Sequence, residues 1–414
     1  MPKKILIFDL NYYPDHVGGA EVAVKEITDR IPPDEYEFHM VCLGYDSKLP
    51  KESQEGNVHV HRIGFTKSNV ELEDLSKFPL HYNKHLYLFW APIKGMLLHR
   101  KLKFNATWSM MAHPSGVPQA IFGLFYPQVT RILTLQEGDP PEYMERLYKP
   151  IWPLFKRVFI KADVIQVISH FLEKWARDMG YTKDIVFIPN GASTESAGAR
   201  ADEATLQALR ESVGKQEGDV MLISVSRLVH KNAVDDVIKA LALLPTNYKL
   251  LVVGGGEDED KLKALAETEG VGKRVIFTGH VDRTMTAQYR QISDIFIRPS
   301  RSEGFGNSFA SSMVLRLPVI ATQEGGIADF LFDAKRNPDK ETTGWAVDKD
   351  APDQIAKAVE EILAHPEQVK QVTENAYQMV TTTYNWNHIA ENMKEQVFDK
   401  ILKNNFATKE IFTS

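Results

Sequence analysis

A single cysteine in 414 residues, Cys42, excludes an internal disulfide and any thiolate metal cluster. Its setting, Phe38-His39-Met40-Val41-Cys42-Leu43, reads as a buried strand, so the thiol is expected to serve as a small hydrophobe. No stretch reaches the roughly 18 apolar residues of a spanning helix. The apolar run Ile5 to Phe8 behind Met1-Pro2-Lys3-Lys4 is also too short for a signal peptide. A cytoplasmic protein is the expectation. Positive charge is not in excess: 49 Lys and Arg against 55 Asp and Glu give a formal net charge of −6. That balance argues against a nucleic-acid partner. A Gly-x-Gly-x-x-Gly fingerprint after the first strand is lacking too, which disfavours a Rossmann dehydrogenase.

What is present is a long globular chain, 43% hydrophobic and 25% charged, for which two domains are expected. Strand-like and helix-like segments alternate throughout. Ile5–Phe8 is a continuous apolar run, as a parallel strand covered on both faces requires. Further strands are expected at His39–Leu43, Val58–Ile63, Ala106–Met110, Arg131–Leu135, Val164–Ile168 and Ile185–Ile188. After Pro189-Asn190-Gly191 the texture turns rich in Ala, Glu, Ser and Gly, and reads as a connection with a short exposed helix. A second series follows with strands Val220–Val225, Lys249–Val253, Val275–Phe277, Ile295–Ile297 and Val319–Ala321. Helices Pro352–Ala364, Pro366–Thr383 and Trp386–Lys403 close the chain, the last with one apolar face of Trp386, Ile389, Met393, Val397 and Ile401. The division expected is 1–195 completed by 385–414, a linker at 196–218, and 219–384. Two doubly wound α/β sheets in series place a ligand at the carboxyl ends of the strands.

Four stretches carry chemistry. Asp15-His16-Val17-Gly18-Gly19-Ala20-Glu21 lies between the first strand and first helix. Its glycines either admit a ligand to the backbone or make a tight turn. Ser226-Arg227-Leu228-Val229-His230-Lys231-Asn232 follows a strand, and its Arg227 and Lys231 suit a diphosphate; a solvated surface pair is the alternative. Gly254-Gly255-Gly256 permits close approach at another strand end. The acids Glu257 to Asp260 read as the favoured first turn of a helix rather than a metal site. In Arg298-Pro299-Ser300-Arg301-Ser302-Glu303-Gly304-Phe305-Gly306-Asn307 a strand ends and a helix begins. Glu303 is placed for sugar hydroxyls, and the amides from Gly306 onward for a phosphate.

These pieces, with Ile188-Pro189-Asn190-Gly191, Phe277-Thr278-Gly279 and Gly325-Gly326-Ile327, stand in the order and spacing of a known family. The whole chain resembles the family 4 glycosyltransferases, retaining enzymes of the GT-B fold with two Rossmann-like domains facing a cleft. The resemblance implies that Arg227 and Lys231 hold the donor diphosphate, while Glu303 and the Phe305–Asn307 backbone hold the donor sugar. It also implies that Gly18 and Gly19 line the acceptor side, with Gly255 beside the donor and Gly279 and His280 near its base. The terminal helix around Trp386 would return to the first domain. Such enzymes use a UDP- or GDP-sugar as co-substrate and a glycan or lipid-linked acceptor. They need no metal or other cofactor, because cations and helix amides neutralise the leaving diphosphate.

Departures from the family are equally readable. Ser311 stands where a ribose-binding glutamate is usual, a change worth roughly 1.5–3 kcal/mol of donor affinity. Gln136 stands where a histidine is frequent, and it exchanges no proton at neutral pH. Asn232 holds the usual place of the lysine, whose role Lys231 would take over. Arg316 replaces a helix-ending glycine and would be strained by about 1 kcal/mol in a left-handed turn. Two readings therefore stand: an active transferase, and a catalytically weak relative that binds a nucleotide sugar or a partner. Basic and aromatic residues at 84–103 and 143–161 either seat the protein on the inner face of an anionic membrane or rim core-facing helices.

Overall fold

The computed structural model of the chain describes residues 1–14, 18–70, 72–192 and 200–402. Contacts divide the chain into two units, Met1–Asn190 with Trp386–Ser414, and Gly191–Asn385.

The first unit is built on strands β1 (Lys3–Phe8), β2 (Tyr36–Leu43), β3 (Glu52–Glu55), β4 (Val58–Ile63), β5 (Ala106–Met110), β6 (Thr130–Leu135), β7 (Val164–Val167) and β8 (Ile185–Phe187). Their order is β3-β4-β2-β1-β5-β6-β7-β8. Helices α1 (Gly19–Thr28), α2 (Asn83–Leu102), α3 (Gly116–Phe125), α4 (Pro141–Tyr148), α5 (Trp152–Ile160) and α6 (His170–Asp178) lie between them. The run Ile5–Phe8 is apolar at every position because both faces of β1 are covered. Ile5 and Ile7 enter one core cluster, Leu6 and Phe8 the other. Cys42 is fully buried in the first of these, and burial pushes its thiol up to about 12. Strand β3, antiparallel to β4, carries Glu-Ser-Gln-Glu and so gave no apolar signal; an edge strand needs none.

The closing helix α14 (Trp386–Asn392) runs on as a π-helical stretch, Met393–Asp399. Its expected face exists. Trp386, Ile389, Met393 and Val397 are buried among Ile5, Ile7 and Phe38, and Ile401 packs at the margin. Phe398 stands edge-on to Trp108 at 5.2 Å, and the Tyr36 hydroxyl donates to Asp399 at 2.6 Å. Lys403 and beyond lie outside the described residues.

The second unit holds β9 (Val220–Val225), β10 (Tyr248–Val253), β11 (Val275–Gly279), β12 (Ile295–Arg298), β13 (Val319–Ala321) and β14 (Trp345–Ala346). Their order is β11-β10-β9-β12-β13-β14, parallel throughout. Helices α7 (Glu203–Ser212), α8 (Val234–Leu243), α9 (Glu259–Thr268), α10 (Arg283–Gln291), α11 (Asn307–Val314), α12 (Pro352–Ala364) and α13 (Pro366–Thr382) complete it. The stretch expected as a linker at 196–218 differs from that expectation in one respect. Its helix α7 buries Leu206 and Leu209, and the Ala201 amide reaches Gln291 at 3.0 Å, so it is part of the second unit. Residues 193–199 lie outside the described residues. Among those described, no helix is long and apolar enough to cross a membrane.

Candidate functional site

Among the parallel strands of each sheet the order reverses once, between β1 and β5 in the first and between β9 and β12 in the second. Open parallel sheets bind ligands at such a reversal, beyond the carboxyl ends of the strands. In the second unit the loop after β9 carries Arg227 and Lys231, and the loop after β12 carries Glu303 and Gly306. These four sequence-derived residues therefore flank one switch point, while Gly255 follows β10 and Gly279 ends β11 with His280 after it, farther along the same sheet.

These two loops are fastened to each other. The Asn232 amide donates to the Arg227 carbonyl at 2.7 Å and accepts from the Arg298 guanidinium at 2.9 Å. The same Arg298 nitrogen grips Glu303 Oε2, while Glu303 Oε1 accepts the Gly304 amide at 3.0 Å. Asn232 and Arg298 are buried. Asn232 thus does not replace a ligand-facing lysine in kind. It braces the loop between the Arg227 carbonyl and the Arg298 guanidinium.

Arg301 is the second fastener. Its amide donates to the Lys231 carbonyl at 2.7 Å, and its guanidinium reaches the His230 carbonyl at 2.7 Å. It also binds both Asp235 oxygens at 2.9 Å, Asp236 at 2.9 Å and Asp350 at 2.7 Å. Burial acts to raise Asp235, but the bonds from Arg301 hold its carboxyl below the usual range. Asp236 is raised by burial and by Asp235 beside it. Arg227 is exposed and Lys231 half-buried at the loop surface.

The glycines divide into two kinds. A Cβ on Gly254 would stand 2.1 Å from the Ser226 carbonyl, and one on Gly256 2.3 Å from the Leu228 carbonyl. These glycines let neighbouring loops touch, and only Gly255 of the three has side-chain room. Gly279, at φ +67°, meets nothing within 4 Å, and exposed His280 follows it. The Gly279 carbonyl accepts the Gly254 amide at 3.0 Å. Gly306 caps α11 at φ 91°, where a Cβ would lie 2.4 Å from the Phe309 ring. No side chain caps this helix start. The Phe305 ring is core, packed on Phe330 at 5.2 Å and Tyr384 at 5.3 Å, so it is not a ligand-facing side chain. Asn307 and Ser311 share a face of α11, and the Ser311 hydroxyl turns back to the Asn307 carbonyl at 2.9 Å. The acids before α9 lie in its cap and first turn, with Asp258 paired to Lys261 and Glu259 to Lys263.

Arg316 does adopt the left-handed turn, at φ 56°. Its guanidinium lies 3.5 Å from the Tyr377 ring centroid and pairs with Glu374 at 2.7 Å, which offsets the strain.

At the first switch point the chemistry differs. Gly18 and Gly19 are exposed at the start of α1, with the Gly18 amide on Glu21 at 2.7 Å; Asp15, His16 and Val17 lie outside the described residues. Asp9, at the end of β1, is fully buried, and burial and Glu21 raise its carboxyl well above the usual range. Gln136 and Asn190 exchange a pair of amide hydrogen bonds at 3.0 Å, so the glutamine is tied to the Pro-Asn-Gly turn. Beside it, Glu137 accepts the amides of Ala112 at 2.5 Å, His113 at 3.1 Å and Gln136 at 3.0 Å. Burial still pushes its carboxyl up to about 7. His113, bonded to the Tyr148 hydroxyl, is pushed down to about 4 by burial.

Asp9, Glu137, Arg298 and Arg301 were not singled out from sequence. An acid closing an apolar strand (Asp9) and an arginine in the run Ile295-Phe296-Ile297-Arg298 were visible anomalies. The partners of Arg301 lie 49 to 71 residues away, and no local pattern marks them.

Comparison with known proteins bears on the same two halves. The family described as Glycosyltransferase Family 4 matches residues 17–196, and that described as Glycosyl transferases group 1 matches residues 207–379. The glycosyltransferase MJ1069 of Methanocaldococcus jannaschii is 24% identical over 96% of this chain and 99% of its own. A GDP-mannose-dependent phosphatidylinositol monomannoside mannosyltransferase of Mycobacterium tuberculosis is 26% identical over 58% of this chain and 63% of its own. Among solved structures, Anabaena Alr3699/HepE in complex with UDP-glucose superposes with a TM-score of 0.75 at 18% identity, covering 95% of this chain and 99% of that one. With its first half answering to one family description and its second half to the other, the chain belongs to the family 4 glycosyltransferases, enzymes of the GT-B fold.

Proposed function

We propose that the chain transfers a sugar from a UDP- or GDP-sugar to a hydroxyl of a glycan or lipid-linked acceptor, with retention and without a metal. The observation that carries this reading is the fastening of the Arg227–Lys231 loop to the Glu303 loop through Asn232 and Arg298 at one switch point. Arg227 and Lys231 take the diphosphate, and the amides that begin α11 add their dipole to the same charge. Charge develops on the diphosphate oxygen as the anomeric C–O bond breaks, and fixed cations there stabilise that state. The acceptor oxygen bonds to the anomeric carbon from the face the diphosphate leaves, and its proton passes to the departing phosphate oxygen. Glu303 Oε2, held by Arg298, is oriented for sugar hydroxyls.

The donor reading is supported by the UDP-glucose complex of the Anabaena protein and by the GDP-mannose named for the mycobacterial enzyme, which also acts on a phosphatidylinositol mannoside. These leave the base and the sugar as two arms of one test. Purified protein is offered UDP- and GDP-sugars with a chelator present, and release of nucleoside diphosphate is followed. One arm should give turnover that the chelator does not abolish. Silence with every donor would refute the transferase.

A second reading, a weak nucleotide-sugar binder, is favoured by one feature. The Ser311 hydroxyl is spent on the Asn307 carbonyl and offers the ribose no charged acceptor. If that shortfall matters, Ser311→Glu should tighten donor binding about tenfold; an unchanged affinity would dismiss it.

A further inference from the structure

We infer that α2 is a docking surface for an anionic lipid bilayer, with its apolar stripe in the headgroup boundary and its axis along the membrane. The helix has two faces. Tyr87, Ala91, Gly95 and Leu98 are buried, and Gly95 allows contact so close that a Cβ would stand 2.9 Å from the Phe8 ring. The opposite face carries Phe89, Ile93 and Leu97 one turn apart, 61%, 51% and 50% exposed. Just before the helix, Phe78 is 81% and Tyr82 46% exposed. Five large apolar side chains stand exposed on and just before this helix, and a patch of that kind marks an interaction surface.

Charge selects the partner. In a chain of net charge −6, the twenty residues of α2 include no aspartate or glutamate. Exposed Lys84 precedes the stripe, and exposed Arg100, Lys101 and Lys103 follow it. Lys94 is paired with Glu52 at 3.1 Å. An apolar stripe between basic ends is the pattern of a helix that lies in an anionic interface. Its four basic residues keep it from spanning one, in accord with the absence of a crossing helix among the described residues.

The orientation follows from one side chain. The Tyr87 hydroxyl donates to the carbonyls of Asp9 at 2.7 Å and Val41 at 3.0 Å. The amino end of α2, with Phe78 and Tyr82, therefore lies at the carboxyl edge of the first sheet, where Gly18 and Gly19 open α1. A bilayer on this face brings its headgroups to the edge at which an acceptor hydroxyl is expected. The surface rests on α2 alone; the link to a lipid-held acceptor rests on the proposed function.

The test is flotation of the full chain with phosphatidylglycerol vesicles and with phosphatidylcholine vesicles. Wild type should float with the former and stay behind with the latter. Phe89→Ser/Ile93→Ser/Leu97→Ser should lower the partition at least tenfold, and Lys84→Glu/Arg100→Glu/Lys101→Glu by about fivefold or more per lost cation. Affinity for UDP or GDP, measured by titration calorimetry, should stay unchanged in both variants. That readout separates loss of docking from loss of fold or of the donor reading. Equal flotation of wild type and the apolar variant, or none of wild type, would overturn the inference. So would a wild-type dimer that the apolar variant turns into a monomer, since the stripe would then serve a second copy.

Discussion

The two sheets share a topology and differ in charge at the place where that topology admits a ligand. Around the second switch point stand Arg227, Lys231, Arg298 and Arg301, with the carboxylates bonded to arginines. Around the first stand buried acids that burial drives toward neutrality, Asp9 and Glu137, and the neutral amide pair of Gln136 and Asn190. Under the proposed function, one fold thus builds a cationic mouth suited to a diphosphate and a hydrogen-bonding mouth, poor in cations, suited to hydroxyls. Specialisation lies in the loops after the strands, while the strands themselves are interchangeable apolar ribbons.

The largest effect should come from Arg301→Ala. It leaves Asp235 and Asp236 without their main counter-charge and releases the His230 carbonyl that the guanidinium holds. Removing one partner of such a network costs about 3 kcal/mol, which is roughly 6–12 °C in the melting of the second unit. A thermal scan checks this. Loss of less than about 2 °C would mean the network is ornamental.

Glu137 sharpens the other side. Burial lifts its carboxyl from the usual 4.5 to about 7, so the folded chain holds that proton more tightly than the unfolded chain. Stability from this source is complete below pH 4.5 and lost as pH rises through about 7, up to about 3 kcal/mol in all. Glu137→Gln should flatten the fall in melting temperature from about pH 5 to pH 8. Parallel curves for wild type and variant would show that the acid is already ionised, and the contrast between the two mouths would shrink.

The smallest change is expected at Arg316→Gly. Relief of the left-handed strain, about 1 kcal/mol, is offset by loss of the Glu374 pair and the Tyr377 contact. Unfolding free energies from denaturant titration should agree within about 0.5 kcal/mol. A clear stabilisation would show the cation and ring to be worth less than their geometry suggests.

Legibility in the sequence followed the same divide between ribbons and loops. Central strands such as Ile5–Phe8 announce themselves because burial on both faces demands apolar residues at every position. The edge strand β3 has no such demand and was invisible. Arg227, Lys231, Glu303 and Gly306 were readable because each follows a strand or opens a helix. Arg298 and Arg301 were not, because their work depends on partners far along the chain. Phe305 shows the converse: an aromatic between glycines suggests a ligand, yet its ring belongs to the core. Composition near 84–103 showed basic and aromatic residues together, and only exposure told which of the apolar ones face outward.

The central claim is that the second mouth alone grips the diphosphate, and calorimetric titration of UDP and GDP into the full chain tests it most directly. Arg227→Ala with Lys231→Ala should weaken the preferred nucleotide at least about a hundredfold, while Gln136→Ala leaves its affinity within about twofold. Undiminished binding by the double variant, or an equal loss in Gln136→Ala, would contradict the account.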